Sequence, residues 1–146
     1  MSTYDLPVNK NGRVYLPNAM RKMVADSRSK IDAGRMFGQI ESPADGKTRL
    51  ARASHIVRKL RINARGEIIG TMEFLDTEAG RMAMEMIKRG APIAGTMRGV
   101  GTVDENGVVS DVTLASIDVT MAAPEFEVPS AVDQMGDLVR EDDDDD

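Results

Sequence analysis

The chain has 146 residues, no Cys, no Trp and a formal charge of −5. A length of this order fits one domain, which buries about 70% of its unfolded surface and so needs no metal or disulfide staple. The missing cysteines exclude thiol catalysis, disulfides and Cys-ligated metal, no apolar segment approaches the ~20 residues of a membrane span, and the N-terminus has no signal-peptide pattern.

The net charge conceals a local polarity. Six of the 24 acids lie in residues 141–146, which leaves 18 acids against 19 Lys and Arg. Residues 47–65 hold seven bases and no acid.

In chain order, Asn11-Gly12 is a turn signal before a short β-like run ending at Tyr15. Pro17 suits the first turn of a helix, and Met20, Met23, Val24 and Ser27 share a stripe, which predicts a helix over 18–29 with its methionines in the core. Met36-Phe-Gly-Gln-Ile40 reads as a strand and residues 42–46 as a loop. Over 52–62, alternation puts Ile56, Leu60 and Ile62 on one face and His55, Val57, Lys59 and Arg61 on the other. A turn at 63–66 and a strand over 67–75 complete a hairpin.

Asp76 or Thr77 caps a second helix, with Ala79, Met82, Ala83 and Met86 on one face and Gly90 just past its end. Pro92-Ile-Ala-Gly-Thr-Met-Arg-Gly-Val-Gly101 follows. It reads as a buried strand stopping at Thr96, then a glycine turn through Gly99 and Gly101. A hairpin with Asn106-Gly107 at its tip leads to a last long strand over 112–121. Past Pro124 periodicity is lost. The domain is expected to span 1–126, with a C-terminal extension of 127–146 ending in a disordered acidic tail. Six or seven hairpin-linked strands with two helices favour an antiparallel sheet or closed barrel over a parallel α/β fold.

A hydroxyl at the end of a strand beside free backbone donors suits acyl transfer, and Thr96 is placed so. It reads equally as an ordinary β-former before a hairpin. His55 is the sole histidine, able to accept and return a proton near neutrality. The surrounding bases would lower its pKa. A single histidine cannot build a two-histidine metal site, and no cofactor is expected. Asp118, inside an apolar strand, is either paired or turned to solvent.

Taken in order, these pieces resemble the prohead core proteases of tailed bacteriophages, serine peptidases that process capsid scaffold. Asn11-Gly-Arg-Val-Tyr15 with Pro17 is similar to the family's Asn-Gly-Arg-Ile-Tyr-Pro, and Gly38-Gln-Ile-Glu-Ser-Pro43 to its Gly-Glu-Leu-x-His-Pro. Ser54-His55 matches its Ser-His, and Leu75-Asp-Thr-Glu-Ala-Gly80 resembles its Leu-x-Thr-Pro-x-Gly. Gly95-Thr-Met-Arg-Gly-Val-Gly101 resembles its Val-Ser-Ser-Arg-Gly-x-Gly, and Ser116-Ile-Asp-Val119 its Thr-Ile-Asp-Val.

The resemblance implies a mainly β, α+β fold: an assemblin-like antiparallel β-barrel with two helices. It implies His55 as general base, Asp118 as its orienting partner, and Arg98 and Gly99 at the oxyanion site. The nucleophilic serine falls on Thr96, its second serine on Met97, and the histidine of the Gly-Glu-Leu-x-His-Pro piece on Ser42. The implied partners are phage scaffold and major capsid proteins within the assembling prohead in the host cytoplasm, with a homo-oligomer left open and no membrane. A catalytically inactive homologue serving head assembly is the alternative. Nucleic-acid binding through residues 47–65 has charge alone behind it, without aromatics for base stacking.

Overall fold

A computed structural model describes residues 2–122. The extension at 127–146, with its acidic run, lies outside them. The described chain is mainly β: seven strands in one curled half-barrel sheet, with two α-helices. The strands are β1 (Thr3–Asn9), β2 (Val14–Tyr15), β3 (Phe37–Gln39), β4 (Ala53–Ile62), β5 (Ile68–Phe74), β6 (Ile93–Val103) and β7 (Val108–Met121). Their order in the sheet is β2-β7-β6-β1-β5-β4-β3. Neighbours are antiparallel except β1 with β6 and β2 with β7. The curl brings β3 back against β7, where Ile40 bridges Val119 and the Glu41 amide donates to the Val119 carbonyl at 2.8 Å.

Helix α1 (Pro17–Asp32) starts on proline and packs on β4 and β7, burying Met20, Met23 and Ile31. It outruns the expected end by about one turn, because Lys30 and Ile31 still find partners: Lys30 Nζ donates to the Leu114 carbonyl at 2.9 Å, and Ile31 joins the core. Helix α2 (Glu78–Lys88) packs on β4 and β5. The Thr77 hydroxyl caps it by accepting from the Gly80 amide at 3.0 Å, and Gly90, at φ 102°, ends it. Its buried face is Gly80, Ala83 and Ile87, rotated from the expected stripe, and Met82 is exposed. The rotation follows from Gly80, which lies so close to the Leu75 carbonyl that a Cβ would overlap it.

The expected glycine turn after Thr96 does not form. Gly99 and Gly101 lie inside β6, each pressed against a β7 carbonyl, Thr113 and Asp111 respectively, with no room for a Cβ. The turn comes later, at Asp104–Gly107, where the Gly107 amide donates to the Asp104 carbonyl at 3.0 Å. No helix among the described residues is long and apolar enough to cross a membrane.

Candidate functional site

The side chains singled out in the sequence fall on two faces of the sheet, with Thr96 and Arg98 on β6, Asp118 on β7 and His55 on β4. β6 and β7 run antiparallel with Thr96 opposite Asp118 and Met97 opposite Ile117. Successive side chains on a strand point to opposite faces. Ile117 is fully buried in the core, against Gly95 and Gly70. Asp118, Thr96 and Arg98 therefore project from the other face.

On that outer face Asp118 is fully buried and hydrogen-bonded throughout. Arg98 Nε donates to Oδ2 at 2.8 Å and Arg98 Nη2 to Oδ1 at 3.1 Å, a two-point ion pair. The Gln39 amide donates to Oδ1 at 2.9 Å, and the Ser42 hydroxyl to Oδ2 at 2.8 Å. Arg98 also reaches the covering loop, donating through Nη1 to the Gly46 carbonyl at 2.9 Å and through Nη2 to the Thr48 hydroxyl at 2.7 Å. Within this loop Arg49 holds Asp45, whose carboxyl is lowered to about 2 chiefly by that hydrogen bond. Thr96 is half-buried beside Asp118, and its hydroxyl accepts from Asn11 Nδ2 at 3.4 Å.

His55 lies on the core face. It is fully buried, its ring centroid 5.6 Å from that of Phe74, which is also its cross-strand partner. Nε2 lies 2.7 Å from the Ile117 carbonyl, which can only accept, so this nitrogen carries the proton. In the neutral ring Nδ1 then accepts, and the Ser54 hydroxyl donates to it at 2.7 Å. Burial lowers the His55 pKa, with the Ile117 bond and Asp118 acting against it. The direction matches the sequence expectation, but the cause is burial, not neighbouring bases.

The reach to Ile117 depends on Gly38, which faces His55 from β3; a Cβ there would overlap both Nε2 and the Ile117 carbonyl oxygen. The imidazole thus closes the β3–β7 seam one step beyond the Ile40–Val119 bridge. His55, Thr96 and Asp118 are near one another through β7, yet no hydrogen bond joins any two of them. Gly99 continues β6, and Arg98 is committed to Asp118 and the loop.

Ser42, Ser54 and Gly38 are the residues of this region that spacing did not single out by role. The available signal was the resembling family's pattern, in which Gly38 and Ser54 match and Ser42 takes the place of a histidine. Among the described residues no three His, Asp or Glu side chains converge as a metal site would require.

No protein-family model and no curated protein matches the chain. Among solved structures it is similar to the bacteriophage T4 capsid assembly protease, gp21, with a TM-score of 0.68 and 18% identity, over 79% of this chain and 75% of that one. The fold is that of a phage capsid assembly protease. At this identity the likeness speaks for the backbone arrangement.

Proposed function

We propose that this protein acts inside the assembling head of a tailed phage, as a component built on the capsid assembly protease fold that engages scaffold and major capsid proteins without cleaving them. One observation carries the reading. Thr96, Asp118 and Ser42 share the outer face, while the single imidazole of the chain is held on the core face by Ser54 and Ile117. A hydroxyl nucleophile needs a base within hydrogen-bond reach. On the face of Thr96 the position where the resembling family carries a histidine is Ser42. Asp118, which would orient an imidazole, instead holds Arg98. Thr96 is also the less apt hydroxyl, since its methyl restricts χ1.

The second reading is a prohead endopeptidase, favoured by the fold and by the half-buried Thr96 hydroxyl on β6. Thr96 Oγ1 would attack the scissile carbonyl, His55 would take its proton, Asp118 would hold the imidazole, and backbone N–H groups near Arg98 and Gly99 would stabilise the oxyanion. That sequence requires His55 to give up both of its hydrogen bonds and change faces.

Co-expression with the phage's scaffold and capsid proteins separates the two. The expected result is no cleavage and no labelling of wild-type protein by a serine-directed acylating probe, with labelling gained in the double variant Thr96→Ser/Ser42→His. Cleavage by wild type that stops in Thr96→Ala would establish the endopeptidase instead. Thr96→Ala is the cleaner control, because His55→Ala also opens the β3–β7 seam.

A further inference from the structure

Between α1 and β4 runs a groove of about 570 Å³. Its rim carries Arg21, Arg28, Arg58, Lys59 and Arg61, with Asp32 as the one carboxylate among its lining residues. Glu73 pairs with Arg58 at 2.7 Å from the neighbouring strand. The floor is apolar, with Val24, Ile31, Leu60 and Ile62. The groove is thus a basic rim over an aliphatic base, away from the Thr96 face.

The chain supplies a segment of matching pattern. Met135, Leu138 and Val139 are followed, after Arg140, by the six acids of 141–146. The twelve residues between Ala122 and Met135 span up to about 40 Å when extended, enough to cross a domain of this size. We propose that the C-terminal segment 135–146 docks in the α1–β4 groove of its own chain, with its aliphatic residues on Val24, Leu60 and Ile62 and its carboxylates against the Arg and Lys rim.

Two considerations favour this occupant over nucleic acid. The floor is aliphatic and, among the described residues, no aromatic side chain lines the groove to stack a base. A tethered segment also meets its site at an effective concentration in about the mM range, which an external ligand must outcompete.

The chain has no cysteine, so Asp146→Cys gives one attachment point for a nitroxide on the full-length protein. The reading is loss of amide signal intensity in the ¹⁵N spectrum. The expected result is selective loss at residues 24–32 and 58–62, within a single molecule. High salt and Arg28→Glu/Lys59→Glu, both exposed positions, should restore the signals. Undiminished signals there would overturn the proposal. So would loss that appears only between mixed nitroxide-bearing and ¹⁵N-labelled copies, which would assign the groove to a second chain. Groove amides that ignore the tail but shift on adding a DNA oligonucleotide would assign it to nucleic acid and overturn the proposal equally.

Discussion

Gly38 and His55 face each other across β3 and β4, and the missing side chain of the first lets the ring of the second reach the Ile117 carbonyl on β7. A Cβ on residue 38 cannot be accommodated without moving the imidazole or the strand. Gly38→Ala should therefore break the Nε2–O bond and destabilise the protein by about 1–3 kcal/mol, the usual cost of overpacking a core. Urea unfolding followed by circular dichroism measures it. A change well under this range would mean that the seam does not depend on the histidine.

The pH dependence follows from the same ring. Burial lowers the His55 pKa below its ordinary 6.5. The unfolded chain then binds the proton more readily than the folded one. Stability from this group is complete above about pH 6.5 and falls as pH drops below that value toward the folded pKa. His55→Asn should flatten the slope between pH 6.5 and 5, whatever it does to stability overall. Thermal melts across that window test it, and an unchanged slope would place the titration elsewhere.

Arg98 and Asp118 form an ion pair almost sealed from solvent, with side-chain exposures of 9% and 0%. Removing one partner strands the other charge, at a cost of about 3–5 kcal/mol. Asp118→Asn and Arg98→Leu should both fall in that range by chemical denaturation. Arg98→Lys should rescue little, since one ammonium cannot reproduce bonds from Nε, Nη1 and Nη2 to Asp118, Gly46 and Thr48. Hydrogen exchange should quicken over residues 42–49 in all three, because Arg98 ties this loop down.

Thr77 joins two elements: its hydroxyl caps α2 at the Gly80 amide and donates to the Ala53 carbonyl at 2.9 Å. Thr77→Ala should cost about 1–2 kcal/mol. Thr77→Ser keeps both bonds and should recover most of the loss in the same unfolding assay.

Much of the local structure was legible because it rests on neighbours in sequence. The Thr77 cap and Gly90 stop bracket α2 whatever it packs against. The turns at Asn63–Gly66 and Asp104–Gly107 follow from Asn, Asp and Gly chemistry, and the β4–β5 hairpin follows from the first of them. The resemblance to prohead proteases, spread over pieces from Asn11 to Val119, matched the fold.

The two-faced arrangement of the site was decided only by the tertiary structure. Alternation along β4 sets His55 and Ile56 on opposite faces, but it does not reveal that residues 53–57 are buried on both of them. The register shift between Val57 and Lys59 then breaks the period that the reading relied on. Gly99 and Gly101 look like a turn from their sequence alone; the close approach of the Thr113 and Asp111 carbonyls makes them strand. The partner of Asp118 was equally hidden. Arg98 lies twenty residues away in sequence, and it is the antiparallel pairing of β6 with β7 that places both on one face, where a buried carboxylate takes the nearest cation. Residue identity proposed a nucleophile, a base and a carboxylate. The tertiary structure determined that the imidazole of His55 lies on the core face and the hydroxyl of Thr96 on the other.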